Sequence, residues 1–576
     1  MESPEVSMSS WDHSVDFLVI GSGAAGMTAA LRAHDLGGET LIVEKADLFG
    51  GSTALSGGVI WVPANPLQAP LGIDDSVEDG LRYLEQITAG SSTTEKLTTY
   101  LRNAPRMMSL LVETSRLRFQ CIQSYPDYYA ELDGGMPGGR SCEPVLFNAL
   151  DLGDELDRMR LLARDRLIMN GRLHIMAAQA KPMLEGGWQA IWILLRSLFA
   201  YYTNFRARRK GINRNTNFTL GAALIGSLRL SLMDRDVPLW LETSLKGLVT
   251  DGGRVVGAEV EREGKRLRIE ARRGVLLAAG GFERNLVMRE KYQPRPASDR
   301  WTEGCSSNTG DSVEIGTAVG GSLDLMDEAW WTPAVIDPMT ESTRIMVYEK
   351  NLPGSIFVNG RGQRFMNEAA PYNDAGKALY AANTPEAPTI PAFLLFDGVY
   401  RKKYPCGPMM PGYSTPDSRL DPSLEGDFFH KDSTLEGLAN KIGIDPAGLA
   451  ETVETFNEYA RTGKDLAFQR GETMQDCYYS VNATGPNKSL APLDTPPFYA
   501  VKVYPGDLGT KGGFRTDTHA RVLTKDDRAI PGLFAAGNCS ASVMGRTYPG
   551  AGATIGPAMT FGFLAAEHAM EGMTPQ

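Results

Sequence analysis

The first strong signal along the chain is an apolar run, Val15 to Ile20, broken only by Asp16. It leads without a gap into Gly21-Ser-Gly23-Ala-Ala-Gly26 and a helical pattern from Met27 to Leu36. A buried strand, a glycine turn and a helix are predicted. A second apolar run, Thr40 to Val43, ends in Glu44. Two more leave through glycine, Val275-Leu-Leu-Ala-Ala-Gly-Gly-Phe282 and Pro531-Gly-Leu-Phe-Ala-Ala-Gly-Asn538. These exits predict one sheet whose strands return to a common point. Helices are predicted over Leu449–Ala460 and from about Ala553 onward.

A glycine motif between strand and helix becomes informative when an acid follows about twenty residues later, as Glu44 does. The helix N-terminus then holds a pyrophosphate and the acid accepts a ribose hydroxyl. A bound dinucleotide is expected at Gly21, Gly23, Ala24, Ala25, Gly26 and Glu44; the weaker reading is a turn that only packs a helix on a sheet. Phe49 to Gly58 has neither period, and reads as a loop along the cofactor offering Ser52, Thr53 and Ser56 to its phosphates and ring edge.

Near the end, Arg546-Thr-Tyr-Pro-Gly-Ala-Gly-Ala-Thr-Ile-Gly556 places Tyr548 four residues before Gly552. A phenol and a bare backbone N–H can meet there at one carbonyl oxygen. A Gly/Pro turn leading into the last helix is the alternative.

One segment has a different pattern. On a helix, Trp188, Ile191, Trp192, Leu195, Leu198, Phe199, Tyr202 and Phe205 share a face, opposite Gln189, Arg196, Ser197, Thr203 and Asn204. Arg206, Arg208, Arg209, Lys210 and Arg214 follow with no acid among them. An aromatic face followed by a basic cluster suits an anionic membrane surface, over about 188–214. The alternative is a core helix followed by solvated charges.

Composition changes this picture little. At 576 residues, two or more cores are expected. The net charge of -11 excludes nucleic acid as the main partner. The six cysteines, 121, 142, 305, 406, 477 and 539, form no C-x-x-C pair, and no histidine cluster accompanies them, so no metal site is expected and most thiols are expected reduced and buried. Met1 to Trp11 is polar, without an apolar signal segment. A cytoplasmic location, on the inner face of the membrane, is expected.

Taken together, Gly21–Gly26 with Glu44, the Gly50–Gly58 loop and the two later glycine exits resemble the FAD flavoproteins of the fumarate reductase and ketosteroid dehydrogenase superfamily. Ala329-Trp-Trp-Thr-Pro333, Arg364-Phe-Met-Asn-Glu-Ala-Ala-Pro-Tyr372, Asp507-Leu-Gly-Thr-Lys-Gly-Gly513 and Thr547-Tyr-Pro-Gly-Ala-Gly552 resemble its 3-ketosteroid dehydrogenases. The likeness spans nearly the whole chain except about 150–215.

The resemblance implies an α/β fold, a Rossmann-like FAD-binding domain with an inserted α+β lid. Residues 1–326 would form its first part, with a membrane-associating insertion at about 180–215. Residues 327–485 would form the catalytic lid, and 486–576 the return segment. Further FAD contacts are implied at Lys45, Gly51, Gly57, Gly58, Ala279, Gly280, Gly537, Asn538, Gly552 and Ile555.

The implied reaction is 1,2-desaturation of a 3-ketosteroid. Tyr548 and the Gly552 N–H would hold the C3 ketone, Tyr372 would take the C2 proton as tyrosinate, and C1 would give hydride to flavin N5. Tyr128 would support Tyr372, with Tyr125 and Tyr129 as alternatives. Trp330 and Trp331 either wall the steroid slot or pack the lid. A quinone or another redox carrier is the expected electron acceptor, and the membrane-like segment tilts the expected substrates towards sterols with a long side chain. Rival readings are Δ4-(5α) desaturation, a dicarboxylate enzyme like fumarate reductase, and a non-catalytic flavoprotein.

Overall fold

The computed structural model describes residues 11–164 and 167–571. The polar stretch read as free of a signal segment lies outside them up to residue 10. Behind the glycine turns stands an eight-stranded sheet. Its parallel centre runs Ala529–Ala535, Lys265–Leu277, His13–Ile20, Thr40–Val43 and Leu239–Trp240. Ile20 pairs with both Val43 and Leu277, and Leu277 with Ala535, so four carboxyl ends stop at one level. Gly21, Glu44, Ala278 and Ala536 therefore leave from one edge, where open parallel sheets bind ligands.

The first helix spans Ala24–Asp35 and begins inside the glycine motif, three residues before the expected Met27. It can lie that close to the sheet because position 26 is glycine: a Cβ there would sit 2.1 Å from Gly21 O and 3.0 Å from Val19 Cγ1. The closing helix, Ile555–Ala569, packs against it. The expected loop between Phe49 and Gly58 contains a short helix, Gly51–Leu55, which packs on the helix Leu220–Met233. Five residues are too few to show a helical period, and Ala54 is the one it buries.

The second body is built on a six-stranded antiparallel sheet, Ser342–Ile345, Ala329–Asp337, Phe498–Thr510, Ala392–Phe396 and Ser355–Val358, with Phe429–Asp432 on Phe498–Thr510. Its long central strand thus comes from the segment expected to belong to the return. Phe357, Leu394, Phe396, Val501 and Val503 fill one face. On the other, Leu438, Leu449 and Phe456 of the helices Leu435–Ile442 and Pro446–Thr462 cover Ile356, Leu395 and Ala500. A buried cluster, Arg364 with Glu368 and Asp465 and Arg470 with Glu368, ties the loop before Tyr372 to this body.

The segment with the aromatic face packs on the helix Ala177–Glu185 and on the residues around His174 and Asn215. Gly187–Thr203 is a helix, but its apolar side points outward. Trp188 is 76% exposed and Phe199 70%, with Ile191, Trp192, Leu195, Tyr202 and Phe205 exposed beside them. Of the polar side, Gln189, Arg196 and Thr203 are exposed as well, while Ser197 and Asn204 are half-buried: Ser197 Oγ accepts the His174 N–H at 3.1 Å and Asn204 Nδ2 donates to Thr216 Oγ1 at 2.7 Å. Among the described residues no helix is long and apolar enough to cross a membrane.

Candidate active site

The common edge of the parallel strands opens on a cavity of about 560 Å³ that runs from the glycine turn to a group of tyrosines. Lining it are Gly21, Gly23, Ala24, Ala25, Glu44, Lys45, Gly51, Ser52, Thr53, Ser56, Gly57 and Gly58, and from the later exits Ala279, Gly280, Gly537, Asn538, Gly552 and Ile555. Gly26 does not line it; its place is the helix–strand contact behind the turn.

The polar groups at the nucleotide end are already tethered. Glu44 Oε2 accepts the Ser22 N–H at 3.1 Å and its hydroxyl at 2.7 Å, while Oε1 accepts the Ala46 N–H at 3.0 Å. Thr53 Oγ1 accepts the Ala24 N–H at 3.2 Å, at the helix N-terminus. Lys45 pairs with Asp311 at 2.8 Å. Ser52 Oγ accepts from the Cys305 N–H at 2.9 Å and from Asn308 Nδ2 at 3.1 Å. An N-terminus for a pyrophosphate, a fixed carboxylate at the second strand's end and hydroxyls along the wall fit FAD.

Sequence reasoning missed Ser22, Asn308 and the segment 307–312, which also line the cavity. Ser22 sits within the glycine motif itself, whereas 307–312 reaches the cavity from a distant part of the chain. The only local signal was the turn chemistry of Asn308-Thr-Gly-Asp311.

At the other end, three tyrosines from different parts of the chain meet. Tyr128 and Tyr548 have ring centroids 5.4 Å apart, Tyr372 and Tyr548 5.2 Å, and Tyr128 and Tyr372 5.5 Å. The Tyr128 N–H donates to Pro549 O at 2.9 Å, and the buried Tyr83 hydroxyl donates to the same carbonyl at 2.6 Å. Asp127, next in the chain, accepts from Trp61 Nε1 at 2.7 Å and pairs with Arg140 at 2.7 Å. Two loops distant in sequence, 125–129 and 547–552, are thereby locked together.

Tyr372 comes from the other body, as the first residue of the helix Tyr372–Ala381. Buried Lys350 holds the preceding loop through Asn351 Oδ1 at 2.8 Å, Glu368 O at 3.0 Å and Ala370 O.

The neighbouring aromatics sort themselves. Tyr129 donates its hydroxyl to Asp374 at 2.8 Å, and Tyr125 turns towards Tyr478 and Tyr479. Of the three tyrosines in that loop, only Tyr128 meets both Tyr372 and Tyr548 in ring contact. Trp330 packs edge-on to Tyr548 at 4.9 Å and donates to Asn538 Oδ1 at 3.3 Å. Trp331 packs instead on Tyr380.

Burial is the largest influence on Tyr372 and pushes its hydroxyl well above the usual tyrosine range; neighbouring Tyr548 adds to this and Tyr128 acts the other way. Burial raises Tyr548 and Tyr128 too. The buried Tyr128 hydroxyl makes no hydrogen bond of full geometry among the described residues, and the group it acts on is the neighbouring Tyr372 hydroxyl. Gly552 has φ +98°, and a Cβ there would come within 2.5 Å of the Ile60 carbonyl carbon. Glycine is therefore required for the backbone to reach the cavity beside Tyr548.

This arrangement brings three phenols and the Gly552 backbone together at the end of a nucleotide cradle. A model of the FAD binding domain family matches residues 16–555. The chain is 42% identical to a 3-oxosteroid 1-dehydrogenase of Mycobacterium tuberculosis over 96% of this chain and 98% of that protein. It is 41% identical to a Mycolicibacterium smegmatis protein of the same name, over 96% of each. A crystal structure of 3-ketosteroid Δ1-dehydrogenase from Sterolibacterium denitrificans, in complex with 1,4-androstadiene-3,17-dione, superposes with a TM-score of 0.93 at 44% identity, covering 97% of this chain and 99% of that one.

Proposed function

We propose how this chain, which belongs to the FAD-dependent 3-oxosteroid 1-dehydrogenases, uses its tyrosine cluster to place a double bond between C1 and C2 of a 3-ketosteroid. Tyr548 and the Gly552 N–H hold the C3 ketone, where negative charge develops as the C2 proton leaves. Tyr372 accepts that proton. Tyr128 donates to the Tyr372 oxygen and favours its phenolate. When bound, FAD supplies the acceptor for the C1 hydride. Residues 1–326 and 486–576 build the cofactor side of the cleft, and 327–485 with the shared strand Phe498–Thr510 build the lid.

The observation that carries this reading is the convergence of Tyr128, Tyr372 and Tyr548 at the end of the cofactor cavity. Anaerobic addition of a 4-en-3-one should bleach the bound flavin and yield the 1,4-dien-3-one. A Δ4-(5α) enzyme has no bond left to oxidise in that substrate and would leave the flavin oxidised.

The reading extends to the membrane. The helix Gly187–Thr203 and the basic residues Arg206, Arg208, Arg209 and Lys210 dock the enzyme on the inner, anionic face of the cell membrane, where sterols partition and a quinone takes the electrons. Each large apolar side chain kept in water forgoes about 1.5–3 kcal/mol of burial, which a lipid interface would restore. Changing Trp188, Trp192 and Phe199 together to aspartate should release the protein from anionic vesicles while steroid turnover in detergent persists. Undiminished co-sedimentation would refute the docking. A surface that takes up lipid suits sterols with a long side chain, as in sterol breakdown.

A further inference from the structure

Each turnover leaves the tyrosine cluster one proton richer, and that proton has to leave a site enclosed by cofactor and substrate. Behind Tyr548 lies a second cavity of about 20 Å³. That is room for one water molecule. Thr554, Lys511 and Lys96 line it, with Trp330 and Asn538 on the cofactor side. Thr554 also lines the large cavity, and its Oγ1 lies 3.0 Å from the Tyr548 hydroxyl. A hydroxyl therefore stands between the tyrosine cluster and two amines.

The amines are held in place without carboxylate partners. Lys511 is 1% exposed; its Nζ donates to Thr547 O at 2.9 Å and sits 4.3 Å from the centre of the Trp330 ring. Lys96 reaches in from the helix Thr94–Thr114 and donates to Thr516 O at 3.1 Å and Thr516 Oγ1 at 2.8 Å. Neither forms an ion pair among the described residues. Glu328, Lys377, Asp374 and Arg546 are the charged groups around Lys511, and Asp517, Asp324 and Arg515 those around Lys96.

We propose that Thr554, the water-sized cavity and Lys511 form a relay that carries the proton from the tyrosine cluster to Lys96 and the surface. The relay rests on the reading of Tyr372 as base and Tyr548 as ketone donor. As the dienone forms, Tyr372 gives its proton to Tyr548 as Tyr548 gives its own to Thr554. Thr554 passes one to the water, and the water passes one to the Lys511 amine. Tyr372 is again a phenolate, the two hydroxyls and the water are unchanged, and Lys511 is an ammonium that discharges through Lys96. Burial suits both amines to this task by making the ammonium costly. It brings Lys511 down to about 7 and Lys96 to about 8.

The test is an anaerobic single turnover of the FAD-loaded enzyme with a 4-en-3-one at mildly alkaline pH. Flavin absorbance and a pH-indicator dye are followed together in weak buffer. Wild-type enzyme should release its proton in step with flavin reduction. Thr554→Val and Lys511→Met should each delay the proton, relative to flavin reduction, by roughly ten-fold or more, within what positioned proton transfer contributes. Thr554→Ser should restore the timing. Lys511→Arg should not, because arginine keeps the cation over Trp330 but does not give up its proton. No net release by wild type, wild-type timing in Thr554→Val, or full rescue by Lys511→Arg overturns the relay. If the steroid fails to reduce the wild-type flavin at all, the reading of the active site falls instead.

Discussion

Replacing Tyr372 with phenylalanine is expected to slow steroid-driven flavin reduction by roughly 10²- to 10⁴-fold, the range a positioned base contributes. The phenylalanine should occupy the same place. The ring is buried against Tyr128 and Tyr548, and the backbone before it is fixed by Lys350 and the Arg364–Glu368–Arg470 cluster, none of which touches the hydroxyl. The loss is therefore one of chemistry, not of packing.

The same residue sets the pH dependence. Burial raises its titration, with Tyr548 adding to the rise and Tyr128 opposing it, so the phenolate is the minor form at neutral pH. Its population grows with pH, and the wild-type reduction rate should climb across the neutral and alkaline range. In Tyr372→Phe that climb should vanish. Stopped-flow reduction at several pH values reads both effects, and a variant that keeps the wild-type rate and slope would remove Tyr372 from the chemistry.

Tyr548→Phe is the second large effect, a fall of roughly 10²- to 10³-fold in the reduction rate, as expected when one of two oxyanion donors is removed. Trp330, Tyr128 and Tyr372 all touch the ring, and the ring survives. What is lost is the hydroxyl aimed at the developing enolate and the partner of Thr554. The loss should appear mainly in the rate at saturating steroid, because this donor matters most once charge develops. A variant whose rate falls by less than about three-fold would show that the Gly552 N–H holds the oxygen alone, since a lost donor costs far more than that.

Much of the cofactor side was legible because its signals are local. Gly21 to Gly26, Glu44 at a strand end and the glycine exits near 280 and 537 are each read within a few residues, and parallel pairing brings them to one level. Tyr548 with Gly552 was legible for the same reason. The short helix at Gly51–Leu55 was not, because a single turn has no period. Asn308 was invisible for another cause: its partner, Ser52, lies 256 positions away in the chain. The aromatic helix showed its two faces in sequence, but not which one looks outward. The side that packs inward is a mixed one, with Ile193, Leu194 and Leu198 half-buried beside Ser197 and Asn204, which find partners there.

The tyrosines also divide unequally between the two bodies. Tyr128 and Tyr548 are locked to each other through Pro549, Tyr83 and Asp127, whereas Tyr372 belongs to the lid. In the proposed mechanism the base therefore faces the ketone grip only where the two bodies meet. With the bodies parted, the reactive centre of that mechanism would be incomplete, because a displacement of about an ångström is enough to spoil alignment. Under that mechanism the enzyme would commit to oxidation only after enclosing its substrate, with the division of three phenols between two bodies as the interlock.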